Sequence, residues 1–539
     1  MKKTILFFMF FFSLQMLAQE DAWVYFAEKT NGQIYYDNPL LMLSQRALDR
    51  RTVQNIPLDS KDIPIDQSLI DQIDAVEGIV VLAKSKWMNV VHVRGTVEAI
   101  NGLSSFSFVN NIDFADQNLN TNASGKKSLN NKIKAVNKNL DTEVIFNYGN
   151  SNNQIQMLNG HLLHQQNFTG AGKIIAVMDA GFPGVNVAQP FQRLNDNNLI
   201  LGGYNFVDRN DNVYTANSHG TLVLSTMGGY TENQLVGTAP DASYYLYITE
   251  DAATENPVEE SLWVEAAEMA DSLGVDIITS SLGYFSYDNP AYSHTYEDMI
   301  GNKTFISRGS NIAFSRGIVC VASAGNSGNN SEPHVGVPAE SFNTLAIGAV
   351  KPNETLATFS SIGPSFDGRI KPDVTAQGQA TVVALPDGNI VTANGTSFSG
   401  PIIAGMIASF WQANTTLTNQ QIIDFVKQSG DKFGYPDNFF GYGIPDFNLA
   451  LTNALGLQDN VKMAFSLYPN PFTETINFTF PNNFNGANIT FYNALGQLIL
   501  DKNITSESSF ITVNDWSNGI YFYKIQFSTF TKTGKVIKK

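Results

Sequence analysis

The feature that most constrains the fold is an alternation of apolar runs and helical patterns between residues 154 and 455. Four apolar runs read as buried strands: KIIAVMDAGF, ASYYLYITED, GVDIITSSLGY and GIVCVASAGN. Three stretches have helical spacing: SHGTLVLSTMGG, SLWVEAAEMADSLG and TSFSGPIIAGMIASFW. Continuous apolar strands that alternate with helices predict an α/β domain, with a mostly parallel sheet and helices on both faces.

Residues with reactive side chains stand where these elements begin or end. Asp179 and Asn326 each follow an apolar run, while His219 and Ser397 stand at the starts of two helical stretches. Because functional groups collect at the carboxyl ends of parallel strands, we expect these residues to meet at one edge of the sheet. Taken singly, each also has a structural explanation: a turn residue, a packed histidine or a helix cap. Pro401 is expected near the first helical turn, where its missing N–H has little to pair with.

Together the four residues supply what hydrolysis of a peptide bond requires. A serine hydroxyl is inert unless a neutral histidine accepts its proton, a third group orients that histidine, and donors stabilise the oxyanion. Asp179, His219 and Ser397 occur in the order Asp, His, Ser. Asn326 offers an amide donor for the oxyanion. The set favours a hydrolytic site over four unrelated structural roles.

Five motifs in the same order resemble those of subtilisin-like serine proteases. VMDAGF is similar to the Asp motif of that family, HGT to its His motif and NGTSFSGP to its Ser motif, while GVDIITSSLG and ASAGN are similar to its substrate strand and oxyanion segment. The resemblance covers residues 154–455 and implies a subtilisin-like fold and a serine endopeptidase. It implies a triad of Asp179, His219 and Ser397, with Asn326 and the Ser397 backbone N–H as oxyanion donors. It also implies five substrate-binding residues: Ser281, Leu282, Gly283, Ala324 and Gly325.

The resemblance carries expectations about the pocket and about bound ions. Ser327 follows the oxyanion asparagine, where some relatives carry an acid, so the pocket is expected to be neutral and to favour apolar or uncharged side chains. No cofactor is expected for the chemistry. Many relatives bind calcium near the loop at residues 229–237, which here offers mainly Glu232, Asn233 and Gln234. Calcium takes six to eight oxygen ligands, so it is not predicted in this loop, and structural calcium elsewhere stays open.

The N-terminal part of the chain reads as an export signal, a pro-region and a linker. Residues 1–18 place two lysines before a short apolar core, which is the layout of a secretory signal peptide and not of a membrane span. Residues 19–116 read as a small α+β unit, with AWVYFAEK and IVVLAKSKWMNVVHV as strands and PLLMLSQRALDRR as a helix. The resemblance implies a pro-region that assists folding and caps the cleft. Residues 117–153 are rich in Asn, Lys and Ser and are expected to form an exposed linker with the maturation cut.

The C-terminal part changes character after a linker at residues 456–464. Short alternating runs from residue 465 to residue 539, among them TINFTF, NITFYN and GIYFYKIQF, predict a small antiparallel β-sandwich. SLYPNPFTETINF and the basic end KTGKVIKK resemble the sorting domain of the type IX secretion system of Bacteroidetes-type bacteria. An accessory sandwich that binds carbohydrate or protein is the alternative reading. The resemblance implies the secretion machinery as a partner and a secreted or cell-surface location.

Composition excludes several classes of function. The formal net charge of -16 repels phosphate backbones, so nucleic acid is not expected as a partner. Cys320 is the single cysteine, which excludes an intrachain disulfide, and its apolar surroundings predict a buried thiol. No segment after the signal region is long and apolar enough to span a bilayer. Peptides or proteins are the expected substrates; a catalytically restricted protein, or a non-catalytic binding protein on the same scaffold, is the alternative.

Overall fold

A computed structural model of the 539-residue chain describes residues 19–29, 32–120, 146–462, 466–479, 486–505, 508–526 and 531–539. The predicted signal peptide and most of the predicted maturation linker lie outside these ranges. The chain divides into two compact units, one that extends to Ala450 and one from Leu451 to Lys539. Within the described ranges, no helix combines the length and the apolar character that a membrane crossing requires.

The predicted pro-region is a four-stranded antiparallel sheet with helices beside it. Its strands, in the spatial order β2-β3-β1-β4, are β1 (Gln19–Phe26), β2 (Ile79–Ser85), β3 (Val90–Thr96) and β4 (Val109–Phe114). Its helices are α1 (Gln33–Asp37), α2 (Gln45–Gln54), α3 (Gln67–Asp74) and α4 (Val97–Gly102). The prediction of a small α+β unit is therefore confirmed.

Two local predictions in the pro-region are wrong. The run from Ile79, predicted as one strand, is the hairpin of β2 and β3, because Asn89 adopts a left-handed φ of 54° that turns the chain back. The helix predicted from Pro39 begins later as α2, since the Ser44 hydroxyl accepts a hydrogen bond from Ala47 N at 3.2 Å and caps the helix there.

The predicted peptidase domain contains eleven of the described strands and most of the described helices. The strands are β5 (Ile174–Asp179), β6 (Ile200–Asn205), β7 (Tyr230–Thr231), β8 (Leu235–Val236), β9 (Ser243–Ile248), β10 (Ile277–Ser280), β11 (Val319–Ser323), β12 (Thr344–Val350), β13 (Val374–Gln377), β14 (Thr381–Ala384) and β15 (Ile390–Ala393). The helices are α5 (Asn152–Gln156), α6 (Gly160–Gln165), α7 (Gln192–Asp196), α8 (His219–Gly228), α9 (Val258–Leu273), α10 (Phe305–Ser315), α11 (Thr396–Ala413) and α12 (Asn419–Gln428); α13 (Phe447–Lys462) begins in this domain and continues past the unit boundary at Ala450.

Seven of these strands form one parallel sheet in the order β13-β12-β11-β10-β5-β9-β6. Every residue of β5 is buried, although alternate side chains of a strand point to opposite faces. Ala176 and Met178 pack with residues of α9 and α10, so Ile175 and Val177 face the other side, where α8 and α11 pack together. The predicted parallel sheet with helices on both faces is confirmed. Cys320 is buried in β11 as predicted, and burial raises the pKa of its thiol to about 12.

The pro-region packs on the peptidase domain through α9 and α10. The Trp23 ring stacks on Phe305 of α10 with ring centroids 5.2 Å apart, and its indole N–H donates to Ser261 Oγ of α9 at 2.8 Å. His92 Nδ1 also lies 2.8 Å from Ser261 Oγ. Glu268 of α9 accepts three hydrogen bonds from the end of β2 and the turn that follows it. This buried polar contact fixes the position of the pro-region on α9.

The C-terminal unit consists of two antiparallel sheets around one apolar core. Its strands are β16 (Ser466–Tyr468), β17 (Thr475–Thr479), β18 (Ala487–Tyr492), β19 (Leu498–Ile504), β20 (Ser508–Thr512), β21 (Gly519–Gln526) and β22 (Thr531–Lys538). The sheet orders are β16-β17-β20 and β19-β18-β21-β22. Ile476 and Ile511 of the first sheet share a core with Ile489, Phe491 and Ile525 of the second. This is the predicted sandwich.

Candidate active site

Asp179 and His219 meet where β5 ends and α8 begins. Asp179 is fully buried, and its Oδ1 lies 2.8 Å from His219 Nδ1. The same Oδ1 accepts the Ala180 N–H at 2.8 Å, which fixes the carboxylate. Gly220 permits this approach, because a Cβ at that position would lie 2.9 Å from Asp179 Cβ and 2.5 Å from the Gly181 carbonyl oxygen. The glycine after His219 therefore allows the imidazole to reach hydrogen-bond distance of the Asp179 carboxylate.

The electrostatic surroundings of His219 favour its protonated form. The Asp179 carboxylate raises the pKa of His219, against the opposing effect of burial, and Glu250 contributes in the same direction. Burial and the charge of Glu255 raise the pKa of Glu250 itself to about 8. An imidazole with a raised pKa accepts a proton more strongly, which is the property that a general base needs.

Ser397 is the second residue of α11, and two residues, Pro401 and Ser281, determine how its backbone carbonyl is hydrogen-bonded. Pro401 is the sixth residue of that helix, not part of its first turn, so the expectation for Pro401 is wrong. A proline there lacks the N–H that would have bonded the Ser397 carbonyl four residues earlier. Ser281 Oγ donates to that carbonyl instead, at 2.9 Å. The predicted substrate strand therefore also supports the backbone of Ser397.

Asn326 is oriented by Thr396, the residue before Ser397. Asn326 Oδ1 accepts from Thr396 N at 2.9 Å and from Thr396 Oγ1 at 3.0 Å. Because a backbone N–H can only donate, the atom that faces it is the oxygen, and the Asn326 amide nitrogen is left for another acceptor. The Ser397 N–H belongs to the first turn of α11, where backbone donors have no partner within the helix. These two donors suit an oxyanion.

A cavity of about 450 Å³ opens beside Ser397. Its lining includes Ser397 and Asn326 together with all five residues predicted to bind substrate: Ser281, Leu282, Gly283, Ala324 and Gly325. Asp179 and His219 do not line it. Within the described chain no hydrogen bond joins His219 to Ser397, although the His219 ring lies 6.1 Å, centroid to centroid, from that of Phe398. Catalytic hydrogen bonds of this kind often tighten only around a substrate.

Several residues that line the cavity were not predicted from the sequence. Tyr284 and Gly336 line the cavity, and so do Glu332 and His334, which make the lining less neutral than expected. The Tyr284 hydroxyl donates to Glu250 at 2.8 Å. Thr396 lies in the motif NGTSFSGP, so its role could have been predicted from the sequence. The loop around Glu332 has no periodic pattern that distinguishes Glu332 from its neighbours.

The loop at residues 229–237 offers little for a calcium ion. In the loop at residues 229–237, Glu232 accepts from the Tyr230 hydroxyl, and Asn233 Oδ1 accepts from Asn147. The Glu232 carboxylate, which already accepts a hydrogen bond, is not enough for an ion that needs six or more oxygen ligands. Among the described residues, one set of three metal-ligating side chains converges within 4.8 Å: Glu250, Glu255 and Glu259.

Comparison with known proteins decides the family. Subtilisin NAT of Bacillus subtilis subsp. natto is 32% identical over 292 residues, which are 54% of this chain and 68% of that protein. Subtilisin of Bacillus pumilus is 31% identical over 293 residues, 94% of its length. The sequence profile of the Subtilase family, Peptidase_S8, matches residues 170–443, more than half of the chain. The chain belongs to the subtilase family.

Two further profiles flank the subtilase domain. The Peptidase S8 propeptide domain of Bacteroidota matches residues 21–133, and the Secretion system C-terminal sorting domain matches residues 466–539. The family resemblances of all three parts are thus confirmed, and the sorting domain indicates secretion or a cell-surface location. A crystal structure of MycP1 without its N-terminal propeptide is 25% identical to this subtilase, with a TM-score of 0.45 over 56% of this chain and 96% of that one.

Proposed function

We propose that this subtilase is a secreted serine endopeptidase that works through an acyl-enzyme with Asp179, His219 and Ser397 as its triad. The observation that carries the proposal is the 2.8 Å contact between the buried Asp179 carboxylate and His219 Nδ1. A hydrogen bond to Nδ1 leaves Nε2 as the acceptor of a neutral imidazole. That is the tautomer that a serine nucleophile requires.

The proposed reaction follows from these groups. Ser397 Oγ attacks the peptide carbonyl carbon while its proton passes to His219 Nε2. The carbonyl oxygen becomes an oxyanion that accepts from the Asn326 amide and the Ser397 N–H. His219 then gives its proton to the leaving amine as the C–N bond breaks. Water, deprotonated by His219, attacks the acyl carbon; the bond from that carbon to Ser397 Oγ breaks, the acid leaves, and His219 returns its proton to Oγ.

We also propose that the enzyme is made as a zymogen. The propeptide match and the packing of the pro-region on α9 and α10 support this proposal. Tyr148 is buried, and its hydroxyl lies 2.9 Å from His164 Nδ1, so the end of the predicted linker is packed on the peptidase domain. A maturation cut is therefore expected before Phe146, between the pro-region and this packed segment. The sorting domain would then direct export across the outer membrane.

The test compares the processed wild-type protein with Ser397→Ala, using a denatured protein substrate and a separation of the fragments. Cleavage inside the substrate by the wild type, with none by the variant, is the expected result. A wild-type protein that binds the substrate without cutting it would favour the alternative, a non-catalytic binding protein on a subtilase scaffold.

A further inference from the structure

We propose that the cavity beside Ser397 selects a lysine or arginine side chain at the residue before the cut bond, and that Glu332 makes this selection. The inference rests on the proposed endopeptidase function and adds the substrate class. It replaces the neutral, apolar pocket that the sequence suggested.

The cavity lies where the side chain before the cut bond must go. Ser397 and Asn326 both line it, and the carbonyl that Ser397 attacks points its oxygen at Asn326. The side chain of the same residue is attached one bond from that carbonyl carbon. Ser281–Gly283 and Ala324–Gly325 also line the cavity. The side chain before the cut bond is therefore the part of the substrate closest to this cavity.

The lining suits a polar side chain with a positive charge. More than half of its residues carry hydroxyl or amide groups, among them Ser286, Ser327 and Asn330. Among the described residues that line the cavity, Glu332 is the one carboxylate, and no lysine or arginine is present. A cation that enters the cavity therefore finds hydrogen-bond acceptors and one opposite charge, whereas a large apolar group would cover polar atoms without pairing them.

The cavity also has room for a long, unbranched stem. A Cβ at Gly336 would lie 2.9 Å from the Tyr284 carbonyl oxygen, and one at Gly325 would lie 2.8 Å from Ser361 Oγ. Glycine at these two positions lets the lining segments pack against one another, and the cavity volume of about 450 Å³ leaves room for a long side chain. Lysine and arginine combine such a thin methylene stem with a charged end.

His334 lies close to the Glu332 carboxylate and is held in place by another aromatic ring. The His334 ring stacks on Tyr296 with centroids 3.9 Å apart, and its Nδ1 lies 3.7 Å from Glu332 Oε2. That distance is too long for a hydrogen bond. The His334 ring therefore does not occupy the Glu332 oxygens with a hydrogen bond, and they can accept from a substrate cation.

The chain itself carries a segment that matches this selectivity. Between residues 121 and 145 there are five lysines and two acids, in a chain where 49 Asp and Glu exceed 33 Lys and Arg. The lysines are Lys126, Lys127, Lys132, Lys134 and Lys138. If the enzyme matures by its own activity, the new N-terminus should directly follow one of them.

The experiment uses the processed full-length protein and four fluorogenic peptides that differ only before the cut bond: Lys, Arg, norleucine and Glu. An organophosphonate titration counts the active enzyme. The ratio of kcat/KM for Lys over norleucine is measured for the wild type and for Glu332→Gln, with Glu354→Gln as the matched control. Glu354 is an exposed acid on a turn and does not line the cavity. Glu332→Lys tests the reversed charge.

We expect the wild type to prefer Lys and Arg. The Glu332 side chain is 58% exposed, so water screens it, and Glu332→Gln should lower the Lys-to-norleucine ratio about two- to fivefold while Glu354→Gln leaves it unchanged. Glu332→Lys should raise the relative rate on Glu. A wild type that prefers norleucine to Lys, or an unchanged ratio in Glu332→Gln, overturns the inference but leaves the endopeptidase proposal standing. Absence of both labelling and hydrolysis overturns the two together.

Discussion

Glu268 offers the sharpest test of how the pro-region is held. The carboxylate is buried in α9 and accepts from Ser85 Oγ at 2.5 Å, from Lys86 N at 2.9 Å and from Trp87 N at 2.9 Å. Glu268→Ala would leave two backbone N–H groups without an acceptor, each at a cost of about 1–3 kcal/mol when buried. Because the Lys86 N–H is only partly buried and can turn to water, we expect the lower end, about 2 kcal/mol. That corresponds to about a thirtyfold shift in an opening equilibrium.

Hydrogen exchange of the β2–β3 turn measures this opening in the uncut chain. Ser397→Ala keeps the pro-region attached, and Glu268→Ala is added to it. The comparison variant is Glu265→Ala on the same helix, whose carboxylate lies 3.4 Å from Lys84 N and pairs with Arg209 near the surface. We expect exchange in the turn to rise about thirtyfold for Glu268→Ala and by fivefold or less for Glu265→Ala. Equal effects of the two substitutions would refute the reasoning.

Three further predictions concern the site itself. Since the pKa of His219 is raised above 6.5 and the neutral imidazole is the base, kcat/KM should fall as the pH falls through a value above 6.5, and a pH–rate profile with its acidic limb at or below 6.5 would contradict this. Asn326→Ala should lower kcat about 10²–10³-fold with little change in KM, and steady-state kinetics that show less than a tenfold loss would remove Asn326 from the oxyanion hole. Ser281→Ala should lower the free energy of unfolding by about 1 kcal/mol, because the Ser397 carbonyl loses its donor. Thermal unfolding should show partial recovery in Ser281→Ala with Pro401→Ala, where residue 401 regains its N–H, and no recovery would argue against this explanation.

The fold of the peptidase domain could be predicted from the sequence because apolar strands and helical stretches alternate along it. Each strand of the central sheet that was identified is a continuous apolar run, and β5 is buried at every position. The rule that parallel strands place functional groups at their carboxyl ends led to Asp179 and Asn326 without any structure. The start of α8 at His219 was also readable, since the stretch SHGTLVLSTMGG has a polar start followed by an apolar run.

The features that the sequence did not predict depend mainly on contacts between segments that are far apart in the chain. From the sequence, Pro401 was expected near the first turn of the helix, where a proline costs little. The hydrogen bond from Ser281 to the Ser397 carbonyl explains how this proline is accommodated in the helix interior. Glu332 lies in a loop, where no period distinguishes a residue that faces a cavity from one that faces water. The hairpin at Asn89 was missed because both of its arms are apolar and no Asn–Gly pair marks the turn.

The most direct test of the proposed mechanism is covalent labelling of the nucleophile. The processed wild-type protein is treated with an organophosphonate, digested and analysed by mass spectrometry, with Ser397→Ala and His219→Ala as comparison variants. We predict one adduct, on the hydroxyl of Ser397, with none in Ser397→Ala and strongly reduced labelling in His219→Ala. A processed wild-type protein that carries no adduct on Ser397, or that is labelled equally well without His219, would contradict the assignment of the triad.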